Sequence, residues 1–445
     1  MIQTPVPSEV VKHAVEKVRL TCPVGLASIR EINRIVHLIQ EESGIDFIRM
    51  EMGIPGLKPP KAAIEAEKKA LDEGVGSLYP PFDGIPQLKQ EISRFIKLFA
   101  DIHISPEGCF PTVGSMQGCF LSIMVSTRRF KGKDKILFID PGFPVNKLQA
   151  KVLGIQSESF DIYDYRGPKL REKLESYLST NRFGAIMYSN PNNPAWITFT
   201  DEELQIIGEL ATKYDTIILE DLAYFGMDFR KDYSQPGVPP FVPTVANYTD
   251  NYILLISSSK SFSLAGQRIG MTAISDHLFH SYGDNLEPYF KTNEFGKAAI
   301  FGGMYALSSG VSHSAQYGLY GLLKAVNDGE YNFREDVIEY GKRAEIMKRI
   351  FTENGFTIVY NKDGDQDIAD GFYFTVAYPG LTGIELVEEL LYYGISAISL
   401  STTGSTREEG IRACVSLTPM NKMPLLEERL KLFHEHHSKG FKVIS

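Results

Sequence analysis

Short apolar runs alternate with helical patterns between about residue 110 and residue 275, and this alternation limits the possible folds more than any other feature. The runs are predicted strands that are almost entirely apolar, at 135–139, 185–188, 216–219 and 252–256. Helices are predicted between them, at 170–178 and 201–214. Such strands are typical of a mostly parallel sheet that helices cover on both faces. The sequence therefore predicts an α/β fold built on this sheet.

A second, smaller domain is predicted from the residues that follow. One long helical segment is predicted over roughly 314–354. After it, strand-like runs at 372–376 and 394–400 flank a helix at 383–393. This order of elements favours a small α+β domain.

These patterns divide the chain into three predicted parts. Residues 1–50 form an N-terminal segment, which contains an amphipathic helix at about 25–42. Residues 51–312 form the large domain, and residues 313–445 form the small C-terminal domain.

The composition favours a cytoplasmic protein. The net charge is −9, from 46 basic and 55 acidic residues, and the charges form no long basic block, which argues against a nucleic-acid surface. No apolar run approaches the ~20 residues that span a bilayer, and the first residues do not resemble a secretory signal. The four cysteines form no metal-type pair and are expected to be free thiols in a reducing compartment.

Polar residues follow three of the predicted strands. Asn193, Asp221 and Lys260 each come just after an apolar run, and ligands bind at the carboxyl ends of strands in such sheets. Three serines precede Lys260, and Arg268 follows eight residues later. A lysine that forms a Schiff base must be a neutral amine, and both burial and a nearby cation lower its pKa. Lys260 is therefore the candidate nucleophile.

Four motifs occur in one order along the chain: Asn193-Pro194, Asp221 with Tyr224, Lys260 with Arg268, and Arg412. In this order and spacing the chain resembles the class I and II aminotransferases, which are aspartate-aminotransferase-like enzymes of fold type I that use pyridoxal phosphate. The resemblance spans most of the chain. It implies a ping-pong transfer of an amino group from an L-amino acid to a 2-oxo acid, and an N-terminal helix that folds back onto the small domain.

The resemblance also implies catalytic roles. Lys260 matches the lysine that forms the internal aldimine and then moves the α-proton of the substrate. Asp221 matches the carboxylate beside the pyridine nitrogen, and Tyr224 and Asn193 match the residues that bond the phenolic oxygen. Without the resemblance, Asp221 reads as a helix cap, Tyr224 as a core tyrosine and Asn193 as a turn residue.

The cofactor phosphate needs hydrogen-bond donors. Gly114 precedes a predicted helix, where Ser115 and Met116 would present backbone N–H groups to an anion. Ser257 and Arg268 match the hydroxyl and guanidinium partners of the phosphate in the family, and arginine binds phosphate in a bidentate way.

The remaining predicted contacts lie elsewhere in the chain. Phe143 matches the aromatic residue that stacks on the pyridine ring, and Tyr79 matches the tyrosine that reaches the phosphate of a neighbouring subunit, which implies a homodimer with shared sites. Arg412 matches the arginine that holds the substrate α-carboxylate, with Arg407 as the alternative, and Gly53 matches a backbone position on the substrate side.

One departure from the family pattern follows Asn193-Pro194. The family usually has a small Thr-Gly pair there, whereas this chain has Ala195-Trp196, with its only tryptophan. The indole is expected either at the mouth of the substrate pocket or packed behind the turn.

The sequence also bears on three functions other than transamination. A β C–S lyase or another reaction on the same scaffold would use the same residues and remains the alternative to transamination. A DNA-binding regulator needs a basic domain that the short N-terminal segment does not provide. A plain nucleotide-binding protein would need a glycine-rich phosphate loop after the first strand, which the sequence lacks.

Overall fold

The computed structural model describes residues 3–443. The strands, in chain order, are β1 (Ile48–Arg49), β2 (Cys109–Thr112), β3 (Lys135–Asp140), β4 (Gln156–Asp161), β5 (Phe183–Ser189), β6 (Ile217–Leu222), β7 (Tyr252–Ser257), β8 (Gly270–Ile274), β9 (Thr357–Ile358), β10 (Lys362–Asp363), β11 (Gln366–Asp367), β12 (Tyr373–Ala377), β13 (Ile395–Ser396), β14 (Ile398–Ser399) and β15 (Gly410–Cys414).

The α-helices, in chain order, are α1 (Ser8–Val18), α2 (Ile29–Ser43), α3 (Lys61–Asp72), α4 (Pro86–Ala100), α5 (Gly114–Ser126), α6 (Pro144–Val152), α7 (Lys169–Leu178), α8 (Asp201–Lys213), α9 (Ser258–Ser261), α10 (Asp276–Phe279), α11 (Glu287–Phe290), α12 (Phe295–Lys297), α13 (Tyr305–Ser308), α14 (His313–Asn327), α15 (Phe333–Glu353), α16 (Gly383–Tyr392) and α17 (Met423–His437). A π-helix, Ala298–Met304, joins α12 to α13. Within residues 3–443, each helix is too short or too polar to cross a lipid bilayer.

The chain divides into two compact units. The larger unit comprises Leu57–Pro191 and Thr198–Val337. The smaller unit comprises the residues up to Gly56, the short segment Asn192–Ile197 and the residues from Ile338 onwards.

A seven-stranded sheet forms the centre of the larger unit. Its strand order is β2-β8-β7-β6-β5-β3-β4, and only β8 runs antiparallel to its neighbours. Strands β5, β6 and β7 are buried at every position, which explains the continuous apolar runs at 185–188, 216–219 and 252–256. The predicted α/β fold with a mostly parallel sheet is confirmed.

The strand order brings the ends of several strands together. The carboxyl ends of β2, β3, β5, β6 and β7 lie at one edge of the sheet, because these five strands run in the same direction. The chain passes from β3 outward to β4 and returns on the other side of β3 to form β5. A reversal of this kind opens a crevice at the carboxyl ends of the two strands, which is the usual ligand site in open α/β sheets.

The smaller unit contains a four-stranded antiparallel sheet in the order β14-β15-β12-β9. The N-terminal segment belongs to this unit, since β1 pairs in parallel with β13 and the Val6 N–H donates to the carbonyl of Tyr392 at 2.9 Å. Helix α2 begins with a capping box, in which Ser28 and Glu31 each accept a hydrogen bond from the backbone of the other.

The long helix predicted over 314–354 is wrong in one respect. The structure has two helices there, α14 and α15, separated at residues 328–332. Gly329 has a φ of +74°, a left-handed conformation that ends a helix, yet both sides of the break keep an apolar period of a helix. Helix α14 packs on α3 and α4 within the larger unit. The compact units therefore divide after Gly56 and after Val337, whereas the sequence placed the boundaries after residues 50 and 312.

Candidate active site

Gly114 and Arg268 form a cradle at the start of α5. Gly114 has a φ of +63°, and a Cβ atom on it would lie 2.7 Å from Nη2 of Arg268, so only glycine allows the guanidinium to approach the backbone this closely. The same backbone passes Gly270, where an added Cβ would lie 2.7 Å from the amide nitrogen of Ser115. The first N–H groups of α5, including those of Ser115 and Met116, have no partner within the helix and face an anion favourably.

Lys260 lies on the single helical turn α9, directly after β7. Serine side chains anchor this turn: Ser257 Oγ accepts a hydrogen bond from the Ser259 N–H at 3.1 Å, and Ser261 Oγ donates to the carbonyl of Phe225 at 2.8 Å. Ser258 Oγ donates to the carbonyl of Ile269. Of the three serines before the lysine, Ser257 and Ser258 thus bond the protein's own backbone. The lysine itself is half-buried.

Asp221 is buried near the end of β6 with an oxygen that has no partner. Its side chain is 6% exposed, and Oδ1 forms no hydrogen bond within the described residues. Burial raises the pKa of Asp221 to about 7, although the backbone N–H of Ala223 acts in the opposite direction. For the buried group to remain charged, the oxygen without a partner needs a cation or an N–H donor.

A small cavity lies beside this carboxylate, at the crevice between β3 and β5. Asp221, Phe143 and Ser189 line it together with the ends of both strands. Tyr224 lies two residues after β6 and is buried, with 3% exposure. The structure therefore brings the predicted residues Asp221 and Phe143 to one cavity of the larger unit.

Arg412 is buried in the smaller unit, on strand β15, at 1% exposure. Its Nη2 donates to the carbonyl of Glu51 at 2.6 Å, and its Nη1 donates to Oδ1 of Asn193 at 3.2 Å. Its Nε has no partner within the described residues. The guanidinium lies over the ring of Tyr373, with Cζ 4.5 Å from the ring centroid. Two hydrogen bonds and one ring face therefore fix the orientation of the guanidinium.

The structure separates the two candidate arginines. Arg407 is half-buried in a loop, and its backbone N–H donates to Ser405 Oγ at 3.0 Å. Gly53 lies against Tyr373, since a Cβ on it would come within 2.0 Å of the phenolic oxygen. Of the two arginines, Arg412 alone combines deep burial with a partner in the Asn193 turn.

The side chain of Tyr79, in the larger unit, is 95% exposed. An apolar surface continues from it: Leu78 is 62% exposed and Phe301 and Tyr305 are each 57% exposed. The ring of Phe82 contacts both of the latter, with centroid distances of 5.3 and 5.5 Å. Phe82, Phe301 and Tyr305 thus form an aromatic cluster at the surface of the larger unit.

The model of the class I and II aminotransferase family matches residues 45–428. The chain belongs to this family. A probable aspartate aminotransferase of Methanocaldococcus jannaschii is 29% identical over 315 residues, which are 69% of this chain and 76% of that protein. An LL-diaminopimelate aminotransferase of Natranaerobius thermophilus is 25% identical over 364 residues, or 78% of this chain and 85% of that protein.

Solved structures agree on the fold of this aminotransferase. An alanine aminotransferase from Pyrococcus furiosus superposes with a TM-score of 0.75 at 20% identity, over 92% of this chain and 96% of that one. An aspartate aminotransferase from Thermotoga maritima gives a TM-score of 0.74 at 17% identity, over 95% and 99%. The protein is therefore an enzyme with the aspartate-aminotransferase fold, as the sequence predicted.

Sequence analysis of this aminotransferase missed one buried acid, Glu220. It precedes Asp221 on β6, so its side chain points to the opposite face of the sheet. Tyr188 Oη and the Val245 N–H each donate to Glu220 at 3.2 Å, and the Thr244 hydroxyl also donates to it. Burial raises the pKa of Glu220 to about 7 despite these bonds. The position of an acid inside an apolar run was the only signal in the sequence.

The two acids predict how the stability of the cofactor-free aminotransferase depends on pH. Both carboxyls have ordinary values near 4 when unfolded and a pKa of about 7 when folded. Between about pH 4 and pH 7 the folded protein therefore holds protons that the unfolded chain has lost. The resulting contribution to the unfolding free energy is lost as the pH rises through about 7. Urea unfolding should give a lower unfolding free energy at about pH 8 than at about pH 5.5, by a few kcal/mol at most.

Two variants separate the contributions. Asp221→Asn should remove the pH dependence of the unfolding free energy that is due to Asp221. Glu220→Gln should remove the pH dependence that is due to Glu220. If Asp221→Asn keeps the full pH dependence of the wild-type protein, its carboxyl titrates as an ordinary exposed group.

Proposed function

We propose that this aminotransferase binds pyridoxal 5'-phosphate in the larger unit and uses it to move amino groups from L-amino acids to 2-oxo acids. The observation that carries the proposal is the unpartnered Oδ1 of buried Asp221, which suits the N–H of a protonated pyridine ring. Phe143 lines the same cavity and would stack on the ring. The cradle of Gly114, Ser115, Met116, Ser257 and Arg268 suits the phosphate.

The bound cofactor supplies an electron sink that lets the α C–H bond of an amino acid ionise. The protein contributes the rest. Lys260 Nζ takes the α-proton and returns it, as a general base and then a general acid. Asp221 would stay ionised and keep the ring nitrogen protonated, and the Tyr224 hydroxyl and the Asn193 amide would donate hydrogen bonds to the phenolic oxygen. The first product leaves as a 2-oxo acid before the second oxo acid binds.

We assign the substrate α-carboxylate to Arg412. Its two terminal nitrogens donate to the Asn193 side-chain oxygen and to the Glu51 carbonyl, and these bonds hold the fork in one orientation. A rigid, charged fork of this kind binds carboxylates in a bidentate way. Gly53 lies against the hydroxyl end of Tyr373 and would leave its backbone open to the substrate.

We further propose that the enzyme is a homodimer. The exposed surface formed by Leu78, Tyr79, Phe82, Phe301 and Tyr305 supports it, because a monomer would leave these side chains in water. Tyr79 at the edge of this surface would donate to the cofactor phosphate of the second subunit.

A cytoplasmic location is also proposed. Cys22, Cys109, Cys119 and Cys414 are all free thiols, and the last three are buried. Free buried cysteines are typical of proteins in reducing compartments. Cell fractionation followed by an antibody against the protein would check the location.

Borohydride should attach the cofactor to Lys260. The purified yellow enzyme should bleach on reduction, and peptide mapping should find the pyridoxyl mass on the peptide that contains residues 258–268. Lys260→Ala should transfer amino groups at least ~100-fold more slowly, because a general acid–base catalyst is lost. Label on another lysine, such as Lys297, would refute the assignment.

Arg412→Ala should raise the KM for amino and oxo acids alike, by roughly 10- to 100-fold, since a charge-assisted hydrogen bond contributes about 1.5–3 kcal/mol. Arg412→Lys should recover little of the loss, because a lysine lacks the planar fork. Arg407→Ala is the control and should leave KM unchanged. The reverse result would assign the carboxylate to Arg407.

Tyr79→Phe should weaken retention of the cofactor by about tenfold, from the loss of one hydrogen bond to a charged group. Equilibrium dialysis gives the dissociation constant, and Tyr282→Phe, an exposed tyrosine outside the apolar surface defined above, is the matched control. Sedimentation should find the wild-type protein as a dimer. A monomer at micromolar concentration would contradict the shared site.

A further inference from the structure

Trp196 occupies an unusual place in the smaller unit. Its φ is +64°, a left-handed conformation that side chains rarely adopt. Its indole is nevertheless fully buried, at 0% exposure. Its backbone N–H donates to the carbonyl of Asn192 at 2.9 Å, which closes the turn that carries Asn193. A glycine would meet the backbone requirement without strain, so the large side chain must serve a purpose of its own.

The space for the indole comes from Gly371. A Cβ on Gly371 would lie 1.9 Å from Cε2 and 2.1 Å from Nε1 of Trp196, far inside contact distance. Any other residue at 371 would therefore push the indole out. The two positions are matched, one by an absent side chain and the other by the largest side chain available.

The indole also contacts the residue that supports Arg412. The rings of Trp196 and Tyr373 meet edge to face, with centroids 6.3 Å apart and planes at 68°. The guanidinium of Arg412 lies over the same tyrosine ring, at 4.5 Å. The hydroxyl end of Tyr373 is held against Gly53, so the ring has little room to tilt.

A second connection runs through the turn. Asn193 lies three residues before Trp196, and its Oδ1 accepts the hydrogen bond from Nη1 of Arg412. The Ala195 N–H donates to Oδ1 of Asn192 at 3.0 Å, which tightens the same turn. The tryptophan therefore reaches Arg412 in two ways, through the face of Tyr373 and through the backbone that places Asn193.

We propose that Trp196, seated over Gly371, is a positioning residue that sets the orientation of the Arg412 guanidinium for the substrate α-carboxylate. The proposal rests on the role assigned to Arg412 above. It also explains why a large residue replaces the family's small one at this position. The indole supports Tyr373, and Tyr373 in turn supports the Arg412 guanidinium.

Three variants test the proposal. Trp196→Gly relieves the backbone and removes the brace. Trp196→Phe keeps a shorter ring. Gly371→Ala leaves the indole intact but takes its space. Trp196→Gly and Gly371→Ala should each raise the KM for amino and oxo acids about 5- to 20-fold, with kcat changed less than about threefold, because an interaction with the carboxylate is common to ground and transition states. Trp196→Phe should lie between these variants and the wild-type enzyme.

A substrate pair isolates the carboxylate. Single-turnover rates are compared for alanine and for ethylamine, which lacks the α-carboxylate. The variants should slow alanine and leave ethylamine unchanged. In an Arg412→Lys background, Trp196→Gly should add less than about a twofold further effect, because the group that it positions is already gone.

Emission of the only tryptophan gives a readout apart from activity. Gly371→Ala should shift the emission of the cofactor-free protein to longer wavelength as the indole leaves its buried site, whereas the wild-type protein should emit as a buried indole. A lower melting temperature with unchanged KM in all three variants would overturn the proposal and leave Trp196 as a core residue. If Arg412→Lys itself leaves KM unchanged, the role of Arg412 fails instead.

Discussion

Main-chain pairing between neighbouring strands of the central sheet is the interaction on which the site depends. Residues Ser189 and Asp221 are partners across β5 and β6, and Ser257 of β7 pairs with Gly270 of β8 beside the phosphate cradle. Each pairing fixes which residue ends a strand and which face it points to. The catalytic groups are attached to these ends by turns of a few residues, so the rigidity of the sheet passes directly to them. Helix α5 then covers the Asp221 face, where Gly118 leaves room for Leu255 of β7.

Much of this arrangement could be predicted from the sequence because it depends on local signals. The strands before Asp221 and Lys260 are apolar runs of the right length, and the serines before the lysine mark the end of a strand. Helix boundaries were harder. The chain breaks at Gly329 without any change in apolar period, so periodicity alone joined α14 to α15.

The unpredicted parts of the site depend on distant partners. Glu220 is stabilised by Thr244 and Tyr188, which lie on either side of it at long sequence separation, and nothing next to it in the chain identifies them. The residues that hold the Arg412 guanidinium are also distant from it in sequence. Glu51, Asn193 and Tyr373 come from three separate segments, and only their contacts in the smaller unit show that they serve one guanidinium.

The close fit between Trp196 and Gly371 also limits the order in which evolution can introduce these two residues. With a side chain at 371, an indole at 196 has no space, whereas a glycine at 371 is compatible with a small residue at 196. The glycine is thus a permissive substitution, and the tryptophan can be accepted only after it. A homologue that acquired the tryptophan alone would misfold locally, and a homologue that lost the glycine alone would expel the ring. Across relatives, glycine at 371 should therefore occur without tryptophan at 196, but tryptophan at 196 should not occur without glycine at 371.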